Sequence, residues 1–203
     1  MQSSPFGPVQ VTYDEHVLAP RRWTLVQSAR AARRLCGGPP GPILELHCGA
    51  GQIGQAAAAW TDRPLVQVDD DPACCAWAAH NAVVNEVRAA VVRADVDAAP
   101  VRDGECSIVL ADPPYVPTGE MVGFPDDPGH AIDGGVDGLD GFRACLPAAA
   151  RLVRPGGAVL LQVRGPAQAA RVIAHVRTNH DELRPAEVVT VSATRAVVEL
   201  ERR

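Results

Sequence analysis

Short apolar runs alternate along the chain with stretches whose apolar positions recur at helical spacing, an α/β pattern without internal repeats or a dividing linker. Pro20 opens a helix to about Arg34, with Leu18, Leu25, Ala29 and Ala32 at three- to seven-residue steps, and Gly37-Gly38-Pro39-Pro40 ends it. Ile43 to His47 reads as a short buried strand, Gln52 to Trp60 as an Ala-rich helix and Leu65 to Val68 as a strand. Pro72 to about Asn85 is a helix with Pro at its first position and acids just before it. Ala89 to Arg93 and Cys106 to Ala111 continue the strand series. Runs such as Ile108-Val109-Leu110 are short and rich in β-branched residues, as in parallel strands covered by helices on both faces, so the sheet is expected to be doubly wound.

From Asp112 to about Asp137 the periodicity fails, and Pro and Gly dominate a segment too long for an ordinary connection, which marks a functional or a disordered loop. Leu139, Phe142 and Leu146 restore helical spacing, Pro155-Gly156-Gly157 makes a turn, and Ala158 to Val163 is another strand. Gly165 to Thr178 reads as a helix. Glu187 to Val191 and Arg195 to Leu200 read as closing strands around Ser192-Ala193-Thr194.

Composition narrows the class. At 47% hydrophobic and 21% charged residues, 203 residues supply one globular domain with a full core. No apolar run approaches the roughly 20 residues that cross a bilayer, and Met1 to Pro8 lacks the plan of a secretory signal, so a cytoplasmic protein with no membrane partner is expected. All 19 basic residues are Arg and the net charge is -5, which argues against a broad nucleic-acid surface without excluding a local patch. Six cysteines without a C-x-x-C or a Cys/His alternation read as reduced core thiols, and no metal site is expected.

Four constellations carry chemistry. Glu45-Leu46-His47-Cys48-Gly49-Ala50-Gly51 lies where a strand ends and a helix begins, the place where open parallel sheets bind nucleotides. Gly49 and Gly51 admit positive φ and close approach of a ligand, although dinucleotide sites and plain tight turns look alike. Asp69-Asp70-Asp71-Pro72 follows about 20 residues on, at the next strand end. Asp69 suits the ribose hydroxyls, while Asp70 and Asp71 also suit the cap of the following helix. Asp95 after the third strand is within reach of an adenine amino group, or is a turn residue. Asp112-Pro113-Pro114-Tyr115 after the fourth strand is the most specific: Asp112 and the Pro113 carbonyl form two acceptors for one planar NH2 group, against which Tyr115 lays a face.

A strand-end Glu with Gly-x-Gly, a second-strand Asp and Asp-Pro-Pro-Tyr together resemble class I S-adenosylmethionine-dependent methyltransferases acting on amino nitrogen. Within them the chain is most similar to the HemK-like protein-(glutamine-N5) methyltransferases, which modify the Gln of the Gly-Gly-Gln loop of release factors. Val17-Leu18-Ala19-Pro20-Arg21-Arg22-Trp23-Thr24, Ala79-His80-Asn81-Ala82, Ala131 to Asp140 and Val153 to Gly157 resemble stretches of that family, from about residue 17 to 175. The family has Asn at Asp112, Gly at His47, and a helical domain before the matched region.

The resemblance implies a Rossmann-like, doubly wound seven-stranded sheet, mostly parallel with an antiparallel last strand, over residues 17–203, preceded by a tail at 1–16. It implies S-adenosylmethionine held by Glu45, His47, Gly49, Gly51, Asp69, Asp70, Asp95 and Asp112, with packing favoured over a ligand role for His47. Asp112, Pro113 and Tyr115 are the implied catalytic residues, and with Pro114 and Gly135 they form the substrate site. The implied acceptor is a protein glutamine, with a helper subunit or a second copy replacing the absent helical domain.

The rival acceptor is the amino group of a nucleic-acid base, followed by a small metabolite, and the non-enzyme alternative is an inactive cofactor-binding scaffold. Between Asp112 and Asp140 the chain carries Asp112, Glu120, Asp126, Asp127, Asp133, Asp137 and Asp140 with no Arg, a loop expected to repel phosphates.

Overall fold

In the computed structural model, which describes residues 1–203, the chain begins with a hairpin. Strand β1 (Gln2–Phe6) pairs antiparallel with β2 (Val9–Tyr13) through a turn at Gly7. These residues, expected as a tail, bury Phe6, Val9 and Val11 in the core. The alternation Val9-Gln10-Val11-Thr12 is the local cause, since it gives β2 one apolar face. The free edge of β2 is covered by amides from a later helix. Asn81 exchanges hydrogen bonds with Thr12, and Asn85 with Gln10, so paired side chains stand in for a third strand.

Helix α1 (Leu25–Leu35) starts later than Pro20, because Arg21 is extended and a single 3₁₀ turn, Arg22–Thr24, intervenes. There follow β3 (Ile43–Leu46), α2 (Gln52–Thr61), β4 (Leu65–Asp69), α3 (Pro72–Val84), β5 (Ala89–Arg93) and β6 (Cys106–Ala111). The non-periodic stretch is ordered: a 3₁₀ segment at Thr118–Gly123 and α4 (Gly129–Ile132) lead to α5 (Asp140–Leu152). Then come β7 (Val153–Val163), α6 (Gly165–Asn179), β8 (Leu183–Ser192) and β9 (Arg195–Arg202). Pro155-Gly156-Gly157 is not a free turn but an irregularity inside β7, where pairing with β6 jumps from Val153 to Ala158 and Gly156 takes positive φ.

The sheet order is β5-β4-β3-β6-β7-β9-β8, parallel except for β9, which runs antiparallel between β7 and β8. This is the doubly wound seven-stranded sheet expected. Alternate residues divide between two cores. Leu44, Leu46, Val109, Val159 and Leu161 meet Phe142, Leu146 and Val172 of α5 and α6, while Ile43, Ile108, Leu110 and Leu160 meet α1, α2 and the hairpin. The strand order reverses between β3 and β6, and the crevice outside their carboxyl ends is the geometric place for a ligand. No helix is long and apolar enough to cross a membrane. The cysteines are unpaired. Cys48, Cys74, Cys106 and Cys145 are buried, Cys75 is half-buried, and Cys36 lies exposed rather than in the core.

Candidate active site

Two cavities open side by side at this crevice. The smaller, about 170 Å³, is walled by His47, Gly49, Gln52, Asp69, Asp70 and Pro114. The larger, about 360 Å³, is walled by Arg21, Trp23, Pro113, Tyr115, Arg164 and Arg195. Asp112, with Leu18 and Ala131, belongs to both walls, and the adjacent prolines face one cavity each. A further cavity of about 380 Å³ lies at the opposite ends of the strands, beside Arg33 and Gly157, and holds none of the candidate residues.

The turn after β3 has positive φ at His47, Gly49 and Gly51, and a Cβ on Gly49 would meet nothing within 4 Å, so that backbone is open to a neighbour. Asp69 anchors the turn. One of its oxygens accepts from Gly49 N at 2.9 Å and the other from Asp71 N at 3.1 Å, which fixes the carboxylate and leaves each oxygen a second lone pair. Asp71 caps α3 through Ala73 N and Cys74 N, as the sequence suggested, whereas Asp70 is exposed at the cavity mouth. Asp95 lies two residues past the edge strand β5, exposed, and lines neither cavity.

Glu45 is buried beneath the turn and lines neither cavity. It shares the strand parity of Ile43, so it points toward α2, where it accepts from Gln67 Nε2 at 2.5 Å and from the Gly54 N–H. A Cβ at Gly54 would stand 2.5 Å from its Oε2, which explains that glycine. Burial drives its carboxyl up to about 8, against the two hydrogen bonds, which lower it. The folded protein therefore holds this proton while the unfolded chain releases it near pH 4.5, and stability falls as pH rises from there to about 8. Burial raises Asp112 too, which adds to the fall between pH 3.8 and about 7. Glu45→Gln is expected to remove its own share, about 1.4 kcal/mol per pH unit across this window. Urea midpoints measured from pH 5 to 8 check this, and an unchanged slope would rule it out.

The tetrapeptide after β6 is gripped from three sides. Gln27 of α1 donates to Ala111 O at 3.1 Å and Leu160 O at 2.9 Å, holding the strand end just before Asp112. Gln168 of α6 donates to Tyr115 O and Gly138 O, both at 2.9 Å. Gly134, Gly138 and Gly141 lie so close that a Cβ on each would come within 2.7–2.8 Å of Tyr115 Cα, Tyr115 O and Pro114 O. That contact accounts for the glycine-rich run from Gly134 to Gly141. Gly135 lines neither cavity. It shapes the loop instead, accepting from Thr118 N and donating to Asp133 Oδ1. Asp112 accepts no hydrogen bond from the chain, and burial alone lifts its carboxyl to about 7. The Tyr115 hydroxyl is raised by burial and by the charge of Asp112.

The Methyltransferase small domain family matches residues 32–122. Relatives named release factor glutamine methyltransferase include that of Moorella thermoacetica, 37% identical over 153 residues, covering 72% of this chain and 54% of the relative. Another, from Geobacter sulfurreducens, is 31% identical and covers 77% and 56%. The chain thus spans little more than half the length of these relatives. Among solved structures, the Thermus thermophilus 16S rRNA N2 G1207 methyltransferase with AdoMet and guanosine has a TM-score of 0.70 at 20% identity, covering all of this chain and 50% of its own. The chain is similar to S-adenosylmethionine-dependent methyltransferases in sequence over the matched residues and in fold throughout.

S-adenosylmethionine is the cofactor of this family, and the smaller cavity fits it on polar grounds. His47 Nε2 and Gln52 Oε1 are buried in that wall without partners, and both suit the charged amino-acid end of such a ligand. Burial lowers the His47 pKa, so its imidazole is neutral at pH 7 and offers one donor and one acceptor. Asp69 and Asp70 at the other side suit ribose hydroxyls.

In the candidate site, the residues that sequence reasoning left without a role are the arginines of the larger cavity, with Trp23 and Phe124. Arg21 pairs with Asp127, Arg164 with Glu120, Arg143 with Asp137 and Asp140, and Arg171 with Asp137. Four of the seven carboxylates in the loop expected to repel phosphates are therefore paired with guanidiniums, most of them from distant segments. Trp23, in the stretch Val17 to Thr24, carries Arg195 3.9 Å over its ring and Arg21 at 5.8 Å.

Proposed function

We propose that this methyltransferase modifies the side-chain amide nitrogen of a protein glutamine. The observation that supports this most is Asp112, a strand-end carboxylate in the wall common to both cavities and free of partners in the chain. Bound in the smaller cavity, S-adenosylmethionine would supply an electrophilic methyl group on a sulfonium. In this reading the Asp112 carboxylate and the Pro113 carbonyl accept the two N–H groups of the amide, and Tyr115 confines its plane. An amide nitrogen is a weak nucleophile. Two fixed acceptors stabilise the positive charge that grows on it as the N–C bond forms and the methyl carbon leaves sulfur. The released proton goes to Asp112 or to water. Tyr115 and the two acceptors would supply further acceleration by fixing where the amide nitrogen stands.

Similarity to relatives named release factor glutamine methyltransferase adds to this reading and suggests a glutamine-bearing loop as substrate. A second reading, methylation of a base amino group, is favoured by the arginines of the larger cavity, since planar amines on bases suit the same acceptors. Arg21 and Arg164 are already paired with carboxylates there, which leaves little charge for a phosphate backbone. The deciding experiment labels a host-cell extract with methyl-tritiated S-adenosylmethionine. Label released by protease and recovered on glutamine is the expected result, and label released by nuclease overturns it.

A further inference from the structure

Of the three guanidiniums in the wall of the larger cavity, Arg195 is the one with no carboxylate partner. It stands at the start of β9, just past the turn at Ala193-Thr194, and its Cζ lies over the Trp23 ring, 3.9 Å from the centroid. Such stacking holds a guanidinium in a fixed plane while its edge N–H groups remain open to an acceptor. The turn that carries it is itself held, since Gly165 at the start of α6 packs against Ala193 and Thr194 too closely to admit a Cβ. Arg195, Arg21 and Arg164 all lie near enough to Tyr115 for their charges to act on its hydroxyl. The free cation and the acceptor tetrapeptide therefore share one chamber.

We propose that Arg195, positioned by Trp23, is an anion subsite that reads an acidic side chain near the methylated residue of a peptide substrate. The inference rests on the reading of the larger cavity as the acceptor site. One free, planar cation suits one carboxylate, whereas a nucleic-acid strand presents a phosphate at every step and calls for several free cations. The net charge of -5 also disfavours a polyanion. Phe124, partly exposed, lines the same cavity with Leu18, Val116 and Ile132, and apolar walls of this kind suit a peptide.

The test uses nonapeptides with a central glutamine, an Asp scanned through the other eight positions, and Asn controls at each. Binding is measured by calorimetry with S-adenosylhomocysteine present, and methylation by mass spectrometry. At one or more positions the Asp peptide is expected to bind about tenfold more tightly than its Asn control, the lower end for a hydrogen bond to a charged group. The ratio should fall toward one in Arg195→Gln and be partly kept in Arg195→Lys. Equal binding of both sets, binding of neither, or a ratio that survives Arg195→Gln overturns the subsite. Tighter binding of an RNA nonamer than of any peptide, lost in Arg195→Gln, overturns the acidic peptide as occupant. Discrimination in binding without methylation of the glutamine upholds the subsite and removes the glutamine reading instead.

Discussion

Replacing Tyr115 with Ala is expected to lower methyl transfer by about 100-fold or more while moving the affinity for S-adenosylhomocysteine by less than about threefold. The ring lines the larger cavity and is absent from the wall of the smaller one, so its loss removes the surface that confines the acceptor and leaves the cofactor side intact. The backbone should stay in place, because Gln168 holds the Tyr115 carbonyl and three glycines press on residues 114 and 115 independently of the ring. A misplaced acceptor costs rate steeply, since fixing where the amide nitrogen stands is most of what this site offers. Single-turnover rates and calorimetry on the variant separate the two effects. An equal loss of both would mean that the assignment of the cavities is wrong.

Most of this arrangement was legible because its signals are local. Strand runs, positive-φ glycines and the Asp-Pro-Pro-Tyr tetrapeptide each sit within ten residues, and the parallel sheet gathers strand ends at one edge whatever the loops do. What failed to show was anything that depends on distance in space. Trp23 and Arg195 are 172 positions apart, and no periodicity links them. Counting charge between Asp112 and Asp140 gave an acidic loop, yet Arg21, Arg164 and Arg171 close over it from outside that interval. Glu45 could have been placed better, since its parity with Ile43 assigns it to the α2 face. Asp95 follows the third strand of the series as expected, but that strand, β5, is the sheet edge, two strands from the point where the order reverses. The N-terminal hairpin was missed because five alternating residues are a weak signal until two amides from α3 complete its edge.

Asp112 brings the second large effect, which is a dependence on pH. The ionised aspartate accepts an N–H with either oxygen and stabilises the charge growing on nitrogen, whereas the acid keeps one carbonyl acceptor and no charge. Burial lifts the Asp112 pKa to about 7, so the charged form dominates only above that value. The rate constant kcat/KM is therefore expected to fall about tenfold per unit as pH drops below about 7 and to level off above it. Glu45, raised to about 8, lies near enough to act on other charges in the site, but its proton sits beneath the turn between Gln67 and Gly54, away from the acceptor. Asp112→Asn separates the two groups. An amide keeps one carbonyl acceptor, which with the Pro113 carbonyl still meets both N–H groups, and it does not titrate. The variant is expected to keep a reduced activity with a flat profile between pH 5.5 and 8, near the level the parent reaches when protonated, whereas Asp112→Ala falls about 100-fold below the parent's activity at pH 8 because the acceptor itself is gone. Steady-state rates on the labelled acceptor across this range decide the matter. A profile in Asp112→Asn as steep as that of the parent chain would assign the titration to another group and leave Asp112 as an acceptor only.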